Sequence, residues 1–309
     1  MQLEDLESQL IQELSQTTPA IARLAENEDA LSRVMKAYEA QDALAARGVL
    51  DQLQLTPFCI LICRWLCVSE CIRVCRVICR ELPEKPFEIP ELQRYGQSLG
   101  RLAADEKAAR ELFDSVEKEN SDAFYKIAEK FDLQAFCHLI CFWVCSIRCR
   151  RFCRLVCPPI DISVDINPFE EFLTAARAVG KLAAKEDLFS TALKGYETRD
   201  VDAVRGVFQQ LELLPLCIFI CRWLCVIHCH RVCIRICPKF PRRFTPAEIR
   251  ELVLRWQKLA SDEGMLDKFV SAHQDGDEKT YHAVLKEFGL ERFCFFLCNW
   301  ICHLHCRLY

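Results

Sequence analysis

The sequence predicts an all-α protein: four tandem three-helix modules of about 78 residues, forming a helical repeat array or bundle with stacked cysteine-rich helices. Three observations carry this. All 22 cysteines fall in four sets with one cysteine at every fourth position. The sets are Cys59, Cys63, Cys67, Cys71, Cys75 and Cys79; Cys137, Cys141, Cys145, Cys149, Cys153 and Cys157; Cys217, Cys221, Cys225, Cys229, Cys233 and Cys237; and a shorter Cys294, Cys298, Cys302 and Cys306. Residues four apart lie on adjacent turns of one helical face, so each set is a ladder of thiols along a helix. Second, Trp65, Trp143, Trp223 and Trp300 stand two residues after the second cysteine of each set, at separations of 78, 80 and 77 residues. Third, the chain has only 9 glycines and no alternating apolar–polar pattern of the kind strands need.

The repeat extends upstream of the ladders. A Leu-Ala pair recurs at Leu24, Leu102, Leu182 and Leu259, always 35 residues before the first cysteine, and four residues further on stand Glu28, Glu106, Glu186 and Glu263. That interval holds no net insertion or deletion, as expected of one duplicated unit. Between repeats the spacing varies and prolines collect: Pro83, Pro86 and Pro90; Pro158, Pro159 and Pro168; Pro238, Pro241 and Pro246. These are read as linkers. The modules are therefore 1–80, 81–158, 159–239 and 240–309, the last with a truncated cysteine helix.

Each module reads as three helices. The first includes the Leu-Ala pair and in the third module runs from about Pro168 to Lys185. The second is short, with apolar residues at helical spacing, as in Ala203, Val204, Val207 and Phe208. The third is the ladder. Gln41-Asp42, Asn120-Ser121 and Arg199-Asp200 mark turns whose Asp or Ser can cap the following helix. Pro57 and Pro215 sit where a first helical turn tolerates proline, and Pro158 and Pro238 stop the ladder that precedes them.

Composition narrows the function. Hydrophobic residues make up 51% and charged residues 27% of 309, which fits a soluble protein with a sizeable core. A net charge of -4 does not point to nucleic acid. Within the ladders, however, basic residues dominate: Arg64, Arg73, Arg76 and Arg80; Arg148, Arg150, Arg151 and Arg154; Arg222, Arg231 and Arg235, against the single acid Glu70. The N-terminus is acidic and amphipathic, without the basic and apolar regions of a secretory signal, so a cytoplasmic location is expected. The stretch Phe58–Cys79 comes closest to a membrane span, but its arginines argue against one.

Three chemistries could use a cysteine every four residues. Thiols can serve as small core hydrophobes. A packing seam, however, mixes in Leu, Ile and Ala. Four residues also advance about 400°, so six cysteines sweep about 200° and face more than one neighbouring helix. Disulfides are the second chemistry. Neighbours within a ladder have Cβ atoms about 5–6 Å apart, too far for a bond, whereas bridges between ladders on adjacent helices are feasible in an oxidising compartment. The third is thiolate–metal binding. Two sulfurs one turn apart can hold a soft monovalent ion, Cu(I) above all, with a third sulfur from the facing helix. The interleaved arginines would lower thiol pKa values and balance the charge. On this reading all 22 cysteines are metal ligands. Zinc or iron–sulfur clusters, with two thiolates from each of two ladders, compete with Cu(I). His138, His228, His230, His303 and His305 also lie in ladder segments; His303 and His305 could complete the fourth ladder, or all five could be polar-face residues. The aligned tryptophans read as packing anchors between modules.

With CxxxC pairs such as Cys59–Cys63 and Cys221–Cys225 repeated along soluble helices, the chain resembles the bacterial copper storage proteins. The resemblance implies many Cu(I) ions held by thiolates inside a helical bundle. It covers the ladders alone, 76 of 309 residues, and the methionines Met1, Met35 and Met265 form no Met-rich entry site. Catalysis is not expected, since P-loop, HExxH and GxGxxG motifs are missing. A GxSxG match at Gly96, Ser98 and Gly100 falls inside a helix and lacks the strand a nucleophile elbow needs. The chain is thus read as a non-enzymatic protein whose partners are metal ions. The alternative is a helical scaffold stapled by inter-helix disulfides, its repeat surface open to a second copy or a protein partner.

Overall fold

The computed structural model describes residues 3–80, 86–157, 167–237 and 245–305. Among these residues there are sixteen α-helices and no strand, so the chain is all-α. The first repeat contains α1 (Leu3–Glu26), α2 (Glu28–Glu39), α3 (Ala43–Gln52) and the ladder helix α4 (Cys59–Ile78). The second contains α5 (Ile89–Ala104), α6 (Glu106–Glu117), α7 (Ser121–Lys130) and α8 (Cys137–Val156). The third contains α9 (Pro168–Ala183), α10 (Glu186–Thr198), α11 (Val201–Gln210) and α12 (Cys217–Ile236). The fourth contains α13 (Pro246–Ala260), α14 (Glu263–Asp275), α15 (Glu278–Glu287) and α16 (Cys294–His305). Pro83, Pro158, Pro159, Pro238, Pro241 and Cys306, with the expected boundaries at 158/159 and 239/240, lie outside the described residues.

Each repeat thus has four helices where three were expected. The extra break falls just before the recurrent glutamates. Asn27, Asp105 and Asp262 leave helical geometry there, and their side chains accept hydrogen bonds from the backbone N–H of Ala30, Ala108 and Met265. Glu28, Glu106, Glu186 and Glu263 therefore open a new helix, where a carboxylate suits the N-terminal dipole. The next break is fixed by Asp42, Asn120, Asp200 and Asp277 as caps. Just ahead of those caps the chain turns through positive φ at Gln41, Glu119, Arg199 and Gly276, the same repeat position each time. A second left-handed turn recurs at Gln54, Asp132, Glu212 and Gly289, before a 3₁₀ turn that leads into the ladder. Pro57 and Pro215 belong to that 3₁₀ turn, and the ladder helix begins after it.

The chain divides into two compact units. The first gathers Met1–Glu70, Cys149–Ser163 and Val232–Leu308; the second gathers Cys71–Arg148 and Val164–Arg231. In the first unit α1 lies against α13, and the buried indole of Trp256 donates to Thr18 Oγ1 at 3.0 Å. In the second unit α5 lies against α9. Leu24, Leu102, Leu182 and Leu259 are fully buried, which explains why the Leu-Ala pair recurs. A leucine so placed contributes about 1.5–3 kcal/mol.

The GxSxG match resolves into packing. Gly96 and Gly100 form the face of α5 on which α9 rests. A Cβ at Gly180 would stand 2.5 Å from Gly100 Cα, and one at Gly96 would stand 2.6 Å from Ala183 Cβ. Glycine is required there so that two helix backbones can meet. Among the described residues the helical stretch long and apolar enough to cross a membrane is Leu214–Ile236 and not Phe58–Cys79, and half of its apolar window is buried inside the protein.

Candidate metal and disulfide ladders

In the first unit, α4 and α8 are joined by Cys59–Cys157 and Cys63–Cys153, with Cα–Cα distances of 5.6 and 5.7 Å. In the second unit, further stretches of the same helices are joined by Cys71–Cys145 and Cys79–Cys137, at 5.5 and 5.8 Å. These separations are the usual ones for a disulfide. The residue numbers in each bridge add to 216. That constancy defines an antiparallel register, because four residues forward on one helix match four residues back on the other. The third and fourth ladders meet in the first unit through Cys237–Cys294, with Cα–Cα 5.8 Å.

Every described bridge of α4 goes to α8, while Cys67 of α4 also meets Tyr38 of α2 and the α16 cysteines meet His273 of α14, so these ladders face more than one helix as expected. A period of four drifts around a straight neighbour. A partner with the same period drifts equally, and the two seams stay face to face.

The 22 candidate ligands divide as follows. Ten form the five bridges above, and Cys225 is disulfide-bonded too. Cys67, Cys75, Cys141, Cys149, Cys217, Cys221, Cys229, Cys233, Cys298 and Cys302 are thiols, all buried except the half-buried Cys217. Cys306 lies outside the described residues. Within ladders, Cys217 and Cys221 have sulfurs 3.8 Å apart, as do Cys225 and Cys229. Burial, followed by the neighbouring Cys217, pushes the Cys221 thiol up to about 12.

The first unit holds two sulfur triads, each with its ligand atoms within 4.8 Å of one another: Cys63, Cys67 and Cys153; and Cys233, Cys298 and Cys302. In the first triad, Cys63 and Cys153 are bridged, and Cys67 Sγ lies 3.7 Å from Cys153 Sγ. The Tyr38 hydroxyl reaches this place from α2, 2.5 Å from Cys67 Sγ, and donates to Cys149 Sγ at 2.8 Å. Burial raises both Tyr38 and Cys67 well above their ordinary values, so both stay protonated near neutral pH.

The second triad consists of thiols throughout. Here His273 of α14 directs Nε2 at the sulfurs, 3.3 Å from Cys298 and 3.9 Å from Cys302. Sequence reasoning passed over His273 because it lies outside every ladder. A signal was present nonetheless. Counted 21 residues back from the first cysteine of each set, the repeats carry Tyr38, Val116, Tyr196 and His273. In the first and fourth repeats that position of the second helix reaches ladder sulfurs, as the Tyr38 hydroxyl and the His273 imidazole.

The other ladder residues have structural surroundings. His138 and His230 are buried, with rings 6.4 Å apart, which corrects the polar-face expectation for these two; the side chains of His303 and His305 lie outside the described residues. Arg73 forms an ion pair with Glu119 at 2.5 Å, and Arg231 pairs with Glu197, so part of the basic stripe is balanced by carboxylates. Arg235 stands near the second triad, where its charge pulls against the burial that raises Cys298. All four aligned tryptophans are buried. Trp65 packs on Phe296, Trp143 on Phe172, Trp223 on Phe189 and Trp300 on Trp256, at 5.2–6.0 Å between ring centroids.

Fold and site together define an all-α, cysteine-ladder protein with groups of sulfurs placed to hold metal ions and with inter-ladder disulfides. No protein-family model, curated protein or solved structure matches the chain.

Proposed function

We propose that this is a non-enzymatic protein that binds several soft metal ions per chain, Cu(I) first among them, through thiolates of paired ladders in a reducing compartment such as the cytoplasm. The observation that carries this reading is the sulfur triad contributed by two helices: two sulfurs one turn apart on one ladder and a third from its partner. Two or three thiolates at such spacing match the preference of Cu(I) for few, soft ligands. Burial shields the ion from water and oxidant. The resemblance to copper storage proteins supplies a chemical analogy for ladders of CxxxC on helices.

A second reading has its own support. Five bridges at disulfide separations, four of them in one antiparallel register, favour a covalently clasped scaffold wherever the thiols are oxidised. Metal and bridge compete for the same sulfurs, so one experiment separates them. The anaerobically reduced protein is titrated with Cu(I), and thiols are counted before and after. The metal reading expects several ions per chain and a loss of a whole ladder's share when the cysteines of α8 are changed to serine. Uptake of fewer than two ions would overturn it in favour of the clasped scaffold.

A further inference from the structure

We propose that Cys233, Cys298, Cys302 and His273 form a closed Cys3His site for one tetrahedral divalent ion of zinc's class, separate in metal preference from the all-sulfur rungs. The inference rests on the reading of ladder cysteines as thiolate ligands, and adds a fourth ligand and a different metal. In a tetrahedral site with Zn–S near 2.3 Å and Zn–N near 2.0–2.1 Å, sulfurs stand about 3.8 Å apart, and nitrogen and sulfur about 3.6 Å. The three sulfurs here already lie within 4.8 Å of one another. His273 Nε2, at 3.3 and 3.9 Å from Cys298 and Cys302, brackets the nitrogen–sulfur distance. Closing this group around an ion needs shifts of a few tenths of an ångström to about one, within the reach of side-chain rotation.

Ligand chemistry sets the metal class. Cu(I) is satisfied by two or three thiolates and gains little from an imidazole, whereas three thiolates and one imidazole are a structural zinc set. The site is dry: His273, Cys233, Cys298 and Cys302 are all buried, which leaves no open position for a reacting water. Three thiolates and a divalent ion carry one net negative charge, and Arg235 is the nearby cation. The corresponding residues of the other repeats, Tyr38, Val116 and Tyr196, offer no imidazole, so this Cys3His set occurs once per chain. The ion would also hold apart Cys233 and Cys298, whose residue numbers share the sum of the Cys237–Cys294 bridge.

The test uses the full chain, reduced and stripped of metal under argon. Co²⁺ is added first as a spectroscopic probe, then Zn²⁺ in competition. The first equivalent of Co²⁺ is expected to give thiolate-to-metal charge-transfer bands and the visible bands of a tetrahedral ion, and to be displaced by one equivalent of Zn²⁺. X-ray absorption of the zinc form of the unsubstituted protein should give three sulfurs near 2.3 Å and one nitrogen near 2.0–2.1 Å. His273→Ala and Cys298→Ser should each weaken binding roughly a hundredfold, while Gly48→Ala, at an exposed helical position where an added Cβ meets nothing within 4 Å, leaves the spectrum unchanged. A four-sulfur shell, an unaltered spectrum and affinity in His273→Ala, or no Co²⁺ uptake would each overturn the proposal. The absorption measurement needs no variant, so a misfolded substitution cannot obscure the answer. Cu(I) uptake measured separately on the zinc-loaded protein tells the two readings apart: loss of ladder copper with zinc retained sinks only the ladder reading, and the reverse sinks only this one.

Discussion

At the scale of single residues, burial decides how the titratable groups behave. His230 is buried and beside His138; burial first, then the neighbouring imidazole, lowers its pKa to about 3 from 6.5. Above 6.5 both folded and unfolded forms hold it neutral, and its contribution to stability is full. As pH falls from 6.5 towards 3, the unfolded chain takes a proton that the fold refuses, and stability is lost at up to about 1.4 kcal/mol per unit. Chemical denaturation of His230→Gln and the unsubstituted protein at pH 7 and pH 4 should therefore give a smaller acid loss in the variant. Thiols act in the opposite sense. Burial raises Cys67, Cys221, Cys233 and Cys298, so the reduced, metal-free fold keeps protons that the unfolded chain sheds above about 9. Its stability should be complete below pH 9 and decline as pH rises towards 12; a flat profile over that interval would contradict the burial of these thiols. Trp223 is fully buried and holds no metal, so Trp223→Ala should cost about 3–5 kcal/mol in the same denaturation measurements, and metal capacity should fall only with the fold.

At the scale of helices, two kinds of contact control approach distance. Ladder helices are drawn together by cysteine rungs with Cα–Cα distances of 5.5–5.8 Å. The α5–α9 pair meets instead at Gly96, Gly100 and Gly180, where backbone touches backbone. We expect Gly180→Ala to lower stability by about 1–3 kcal/mol, since the added methyl would press on the Gly100 backbone, which cannot rotate away. Gly48→Ala provides the control: nothing lies within 4 Å of a Cβ there, and an exposed helical site should gain slightly. Equal melting temperatures for the Gly180 variant and the parent would show that the helices can separate without penalty. The four-helix composition of the repeat was legible in hindsight from Asn27, Asp105 and Asp262, short polar residues directly ahead of a glutamate. They were passed over because the apolar periodicity on either side runs on almost in phase.

For the whole molecule the governing variable is the oxidation state of the sulfurs. The described bridges span sequence separations of 57 to 98 residues, and closing a single loop of that size stabilises by about 4–5 kcal/mol on a chain-entropy account. Full reduction without metal should therefore lower the melting temperature markedly. Cu(I) added to the reduced protein should restore much of the loss through preferential binding to the fold, by about 2.7 kcal/mol at a hundredfold excess over Kd. The same copper added to the oxidised protein should do far less. Equal copper stabilisation of both forms, read by thermal melts with and without reductant, would mean that the ion sits away from the rungs.

What the sequence determined by itself is everything that depends on neighbours along the chain. A cysteine every four residues makes a ladder on a helix, the constant 35-residue interval marks duplication, and the caps and missing strand pattern make the fold all-α. Helical periodicity is local, so it can be read from one strand of text. The tertiary structure alone decided which ladders pair, in what register, which sulfurs are bridged, and that Tyr38 and His273 enter among them. Those outcomes come from packing between segments far apart in sequence. His273 lies outside all four ladders, yet the turn of α14 beneath Gly276 delivers its ring to Cys298 and Cys302.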